Sequence, residues 1–268
     1  MSASATAPYE LMYWPGIPGR AEHIRLLLEA AQVAYTDHSV AAAGASLVLS
    51  HISGKNTGTA LNPPPFAPPI LKHGDLLIHQ TSNILLYLGP KHGLAPAFPS
   101  PPAVADTGPA VEDDGLFHVN QLALMALDGL GNEAHDTHHP VATGLYYEDQ
   151  KPEAKRAAEH YRNVRLPKFL GFFERVLAGE RSGGGEWLYG GRMTYADLVL
   201  FQCLDGLKFA FPKTLRKLEE GGEYAKVFGL YGRVKEVKSV KAYLDSDRRK
   251  GYSNGIYRHY PELEEDLD

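Results

Sequence analysis

The first apolar segment of the chain, residues 9–14, is short and aromatic and stops at Pro15-Gly16, the pattern of a buried strand. Ile24, Leu27, Leu28 and Ala31 then recur at helical spacing, which predicts a helix after the loop at residues 15–19. Residues 33–40 read as a second strand. The Ala-rich residues 41–53 leave room for a helix, and residues 54–65, full of Gly, Asn and Pro, form a loop. Two short apolar runs, residues 69–72 and 76–78, flank His73-Gly74-Asp75 and predict an antiparallel hairpin. Gln80-Thr81-Ser82-Asn83 precedes a helix marked by Ile84, Leu85, Tyr87 and Leu88 and closed by Gly89-Pro90. The order β-α-β-(α)-β-β-α describes a compact α/β unit.

The pattern then changes. Residues 90–109 are rich in Pro, Ala and Gly and mark a linker. From about Val111 onward the periodicity is helical, over residues 116–130, 151–177, 194–209 and 224–244, with a His-rich stretch between the first two. The glycines at 183–185 read as a surface loop. The tail, residues 251–268, is aromatic and then acidic, and is expected to pack back on the body. The expected domains are residues 8–91 (α/β), a linker at 92–110, and an all-α domain at 111–268.

Composition narrows the function. A length of 268 residues suits two modest domains, and 44% apolar residues suffice for a substantial core. A net charge of -5 gives no electrostatic case for nucleic acid, and no basic run suggests a lipid surface. No apolar stretch approaches the roughly 18 residues that span a bilayer, and the small polar residues at the start do not resemble a signal peptide. The single cysteine, Cys203, excludes an intramolecular disulfide and fits a reducing compartment, so a cytoplasmic location is expected. Cys203 lies in the apolar run 198–204 and reads as a buried small hydrophobe.

The chemistry is carried by short motifs. Tyr9-Glu10-Leu11-Met12-Tyr13-Trp14 followed by Gly19-Arg20-Ala21-Glu22 resembles the start of the cytosolic glutathione transferases of the tyrosine type, closest to sigma and mu classes and to microbial sigma-like members. The resemblance places Tyr13 where the family's tyrosine points its hydroxyl at the glutathione sulfur. That chemistry needs such a group, because the thiolate is the nucleophile and a thiol with a pKa near 8.5 is mostly protonated at neutral pH. A hydrogen bond donated to the sulfur favours the charged form. Ala67-Pro68-Pro69-Ile70-Leu71, with Gln80-Thr81 after the hairpin, resembles the family's cis-proline loop and Gln/Glu–Ser motif. Pro69 then matches the cis-proline and Pro68 the residue whose backbone meets the cysteinyl part of glutathione. A proline has no N–H, so the usual paired contact is expected to be halved, or Pro68 displaced. Gln80 and Thr81 are expected to hold the γ-glutamyl carboxylate at a helix start, Thr81 with an N-cap hydroxyl.

By the same resemblance Arg20 supports the tyrosine from the crevice between the domains, and Trp14 touches glutathione or packs in the core. Asn62 and Lys55 fall in the loop that meets the glycyl end. Asp113 and Asp114 fall near where a partner subunit's acid approaches glutathione in mu- and sigma-type enzymes. Met193-Thr194-Tyr195-Ala196-Asp197 resembles the family's N-capping box, a folding element. His135-Asp136-Thr137-His138-His139-Pro140 is dense in metal-ligand types, but its spacing matches no zinc motif, and histidines bonding last-turn carbonyls explain it without metal. His138 and Tyr147 are candidate residues of the electrophile pocket.

Together the resemblance implies a thioredoxin-like N-terminal domain followed by an all-helical C-terminal domain that shapes an apolar pocket. The implied activity is detoxifying conjugation of glutathione, the co-substrate, to small hydrophobic electrophiles, with no metal, in a homodimer. Two alternatives share the fold: a glutathione-dependent isomerase of the prostaglandin-synthase kind, and a non-catalytic carrier of apolar ligands.

Overall fold

The computed structural model describes residues 7–40, 43–98 and 114–267. Four short strands form one mixed sheet in the order β2-β1-β3-β4. Strand β1 (Tyr9–Met12) pairs in parallel with β2 (Tyr35–Asp37) and antiparallel with β3 (Ile70–His73), which pairs antiparallel with β4 (Leu76–His79). Helix α1 (Glu22–Ala30) makes the crossover that a parallel pair requires, and its Ile24, Leu26, Leu27 and Leu28 are fully buried. The second strand is shorter than the periodicity predicts. Asp37 Oδ1 accepts hydrogen bonds from the Ser39 backbone N–H (2.9 Å) and hydroxyl (2.7 Å), and this Asx turn ends the strand at Asp37. Helix α2 (Ala43–His51) follows. The β3–β4 turn is tight, with Gly74 at φ 61°. Helix α3 (Thr81–Lys91) ends one residue past the Gly89-Pro90 pair expected to close it, and carries Pro90 inside it.

The second half is helical. Helix α4 (Gly115–Ala126) continues through a π-helical turn (Leu127–Asn132) into α5 (Glu133–Asp136). Helix α6 (Lys151–His160) passes through a second π turn (Tyr161–Arg165) into α7 (Leu166–Ala178). Pro167, in the first turn of α7, has no N–H to continue the ladder, and the wider turn absorbs that break. Helix α8 (Tyr195–Ala210) is the central column and packs on α4, α1 and α10 (Ala225–Lys235). Residues 224–244, a single helix by periodicity, divide into α10 and α11 (Lys238–Leu244), separated at Val237, whose backbone is extended. Helix α9 (Pro212–Glu220) was not legible in the sequence, because a short Lys/Arg/Glu-rich segment has few apolar markers.

Capping fixes the start of α8. The Asp197 carboxylate accepts from the Thr194 N–H (2.7 Å), the Thr194 hydroxyl (2.8 Å) and the Leu188 N–H (2.7 Å). Complete burial nonetheless pushes its pKa up to about 6. Cys203 is fully buried, and burial raises its thiol to about 12. The tail folds back, with Ile256, Tyr257 and Leu263 buried. The Tyr257 ring occupies space that only a glycine leaves free, since a Cβ on Gly206 would meet it at 2.1 Å. No helix among the described residues is long and apolar enough to cross a membrane.

Candidate active site

Tyr13 follows β1 directly, so the strand sets its position. Its ring lies against Gly19, where an added Cβ would fall 2.3 Å from the hydroxyl. The hydroxyl oxygen accepts the Arg20 backbone N–H at 2.9 Å, and the side chain is only 5% exposed. Burial raises the phenol pKa above its ordinary value, against an opposing pull from that Arg20 N–H. The group is therefore a neutral phenol at pH 7 that keeps a proton to donate.

Arg20 is the junction of the site. It sits in a 3-10 turn (Gly19–Ala21), its carbonyl accepts the Thr81 hydroxyl at 3.2 Å, and its guanidinium donates to Asn132 Oδ1 at 2.6 Å. Tyr13, Arg20 and Thr81 are thus joined in one chain of hydrogen bonds that reaches the helical half at Asn132. This corrects the expectation for Thr81. Gln80 is the N-cap of α3, and the Thr81 hydroxyl, already inside the helix, is spent on Arg20. Gln80 is exposed and holds φ 75°, a conformation uncommon outside glycine. The first N–H groups of a helix such as α3 lack intrahelical partners.

The Pro68–Pro69 peptide is cis, and both rings are buried at the start of β3. Pro68 stays in place, and its backbone offers a carbonyl only. Trp14 is half-buried and packs against Met12, Val48 and Ile70 as well as the main core. Lys55 and Asn62 line a groove of about 900 Å³ between the α2 loop and the hairpin. There Asn62 is fixed, donating to the Asp75 carbonyl (2.8 Å) and accepting the Leu77 N–H (2.8 Å). Asp114 is exposed, and Asp113 lies outside the described residues. His138 and Tyr147 are each 2% exposed. Tyr147 is covered by Tyr260, whose ring stacks on it at 3.7 Å, so the tail separates it from open space.

Two residues that periodicity passed over, Glu22 and Arg25, form the electrostatic floor. Both are fully buried. The Arg25 guanidinium reaches Glu22 (3.0 Å), Asp37 (2.7 Å), the Ser39 hydroxyl (2.9 Å) and the Pro18 carbonyl (3.1 Å). Burial pulls the Arg25 pKa down, but Glu22 and Asp37 hold it above its ordinary value. Glu22 also accepts from the Tyr243 hydroxyl (2.6 Å) and pairs with Arg249, tying the start of α1 to α11 and the segment after it. The i, i+3 spacing of Glu22 and Arg25 was the one available signal, but it reads equally as a surface pair.

A four-stranded mixed sheet with flanking helices, a cis-proline before β3 and an all-α second half define a thioredoxin-like domain joined to a helical domain. The family model for the glutathione S-transferase C-terminal domain matches residues 135–247. A glutathione S-transferase of Plasmodium falciparum is 26% identical over 211 residues, 77% of this chain and 83% of that protein. Glutathione S-transferase P 1 of Xenopus laevis is 29% identical over 73% of this chain and 75% of its own. Glutathione S-transferase Mu 2 of Mus musculus is 26% identical over 90% and 92%. The solved structure of the Onchocerca volvulus Pi-class enzyme shares the fold, with a TM-score of 0.64 at 24% identity, covering 92% of this chain and 99% of that one. The chain is thus similar to glutathione S-transferases in its C-terminal half by family model and over most of its length by sequence.

Proposed function

We propose that the chain conjugates glutathione to small hydrophobic electrophiles, with Tyr13 stabilising the glutathione thiolate. The observation that carries this reading is the Tyr13 hydroxyl, buried, neutral and already accepting one N–H at 2.9 Å. Its oxygen is held by Arg20, so its own proton is directed elsewhere, and the N–H donated into it strengthens it as a donor. Glutathione binds with its thiol proton released to solvent, and the sulfur anion accepts the Tyr13 O–H. The sulfur then forms a bond to a carbon of the electrophile, and the leaving group departs with its electron pair or the addition product takes up a proton.

Gln80 and the open N–H groups at the start of α3 are suited to the γ-glutamyl carboxylate. The Pro68 carbonyl accepts the cysteinyl N–H as a single backbone bond. We assign residues 8–91 to the glutathione-binding domain, 92–110 to a linker and 111–268 to the helical domain. A cytoplasmic homodimer with a detoxifying role accords with this chemistry, which itself requires no metal.

The test is conjugation of an aryl halide by wild type and Tyr13→Phe, together with titration of the bound thiol. Loss of the O–H is expected to lower the chemical step roughly ten- to a thousandfold, about 1–4 kcal/mol, and to raise the thiol pKa. Full activity with an unchanged thiol pKa in Tyr13→Phe would remove Tyr13 from the mechanism. An inactive wild type that binds no glutathione would remove the transferase reading.

A further inference from the structure

Beyond the thiol site, the chain end of α5 gathers three imidazoles that this chemistry does not use. His135 and His138 have ring centres 5.0 Å apart, His135 and His139 5.0 Å, and His138 and His139 4.8 Å. One ligand nitrogen from each lies within 4.8 Å of the other two. Spacing alone gave no metal motif, because the cluster forms where α5 ends and the chain turns back on itself. His138 supplies an independent sign. Its side chain is 2% exposed, yet Nε2 is buried without any hydrogen-bond partner. A buried polar atom left unpaired costs free energy, on the order of 1–3 kcal/mol, and its persistence calls for a reason.

We propose that His135, His138 and His139 bind one divalent transition-metal ion of the zinc type through three neutral imidazoles, leaving the fourth position to water or a ligand oxygen. Three imidazoles with an open position are a donor set that suits such ions. An imidazole with its ordinary pKa near 6.5 is mostly neutral at pH 7 and above, so its lone pair is free to bind a metal. Outer partners are in place. His138 is hydrogen-bonded to the Gly255 backbone, and His135 Nδ1 faces Asp136 Oδ1 at 3.4 Å. His139 would give up a long 3.4 Å contact with the Gln150 amide. Ligand nitrogens about 2 Å from zinc stand about 3.3 Å apart in a tetrahedron, so side-chain rotations of about 1 Å close the site. The His135 side chain is 22% exposed and gives the ion access. Two cations oppose binding: Arg258 lowers His138 and His139, and Arg20 lowers His135, while Asp136 is the facing acid.

The test is titration of tag-free protein with Co2+, read by its visible ligand-field bands, followed by displacement with Zn2+. One Co2+ per chain with four-coordinate bands is expected. In His135→Gln/His139→Gln, which leaves the buried His138 in place, affinity should fall at least about 100-fold, beyond the loss typical of outer-shell partners. Arg258→Gln removes an opposing charge and should tighten binding several-fold. Absence of stoichiometric Co2+ or Zn2+ binding by wild type would overturn the proposal. So would unchanged affinity in the double variant with an unchanged circular dichroism spectrum, since the ion would then sit on other histidines.

Discussion

Gly19→Ala probes the proposed role of Tyr13 without touching the tyrosine. The new Cβ would fall 2.3 Å from the Tyr13 hydroxyl, 2.5 Å from Cε1 and 2.7 Å from Cζ. Ordinary contact needs about 3.5 Å, so the ring end must retreat by about 1 Å. That motion stretches the 2.9 Å bond from the Arg20 N–H beyond hydrogen-bond length and carries the hydroxyl away from the sulfur it is proposed to serve. Gly19 also sits at φ +48°, where alanine costs about 1–2 kcal/mol. A hydrogen bond to a charged group is worth about 1.5–3 kcal/mol, so the chemical step should slow by roughly ten- to a hundredfold. The assay is kcat/KM for aryl-halide conjugation, with the bound thiol titrated in parallel. In a Tyr13→Phe background the same change should have almost no further effect on rate, because the hydroxyl is already gone. A folded Gly19→Ala enzyme whose thiol pKa is unchanged and whose kcat/KM stays within about twofold would refute the reasoning.

Arg25→Met removes the buried guanidinium from Asp37 and Glu22, leaving Glu22 to Arg249 and the Tyr243 hydroxyl, and should lower stability by about 3 kcal/mol in denaturant unfolding. Asp197→Ala removes the acceptor for three hydrogen bonds at the start of α8 and should cost about 2–4 kcal/mol by the same measurement, while the thiol pKa stays unchanged. His23 is fully buried, and burial, with Arg20 and Arg249 nearby, lowers its pKa to about 3. Because its folded value lies below the unfolded 6.5, its contribution is complete above pH 6.5 and falls by up to about 1.4 kcal/mol per pH unit towards 3. Unfolding free energies from pH 7 to 4 should therefore show a slope that His23→Asn reduces by about that amount.

The strands and helices around the site were legible because short apolar runs and helical spacing reflect burial directly. Strand β1 falls within the apolar-aromatic run 9–14, and β3 and β4 match, to within one residue, the two runs flanking His73-Gly74-Asp75. What the pattern missed depends on particular side-chain contacts and backbone breaks, some local and some between distant residues. Strand β2 stops at Asp37 because of its bonds to Ser39, and the helix at 151–177 divides at a π turn near Pro167. The role expected of the Thr81 hydroxyl changed because its partner, the Arg20 carbonyl, is 61 residues away. Glu22 and Arg25 carry charges that ordinarily mark surface, and only the fold reveals their partners Asp37, Tyr243 and Arg249.

Several such contacts meet at Arg20. Its N–H holds Tyr13, its carbonyl receives Thr81, and its guanidinium reaches Asn132, so one residue fixes a strand end, a helix start and the helical half together. Two of those three bonds are made by backbone atoms, which carry no side-chain entropy to lose and cannot be removed by changing the side chain. Below them the Arg25–Glu22 pair anchors the Pro18 carbonyl just ahead of the same turn. The Tyr13 hydroxyl is therefore positioned by main-chain geometry before any ligand arrives. Under the proposed mechanism, the donor need not be ordered when the thiolate forms, and the reorganisation that water would require is already complete in the folded chain.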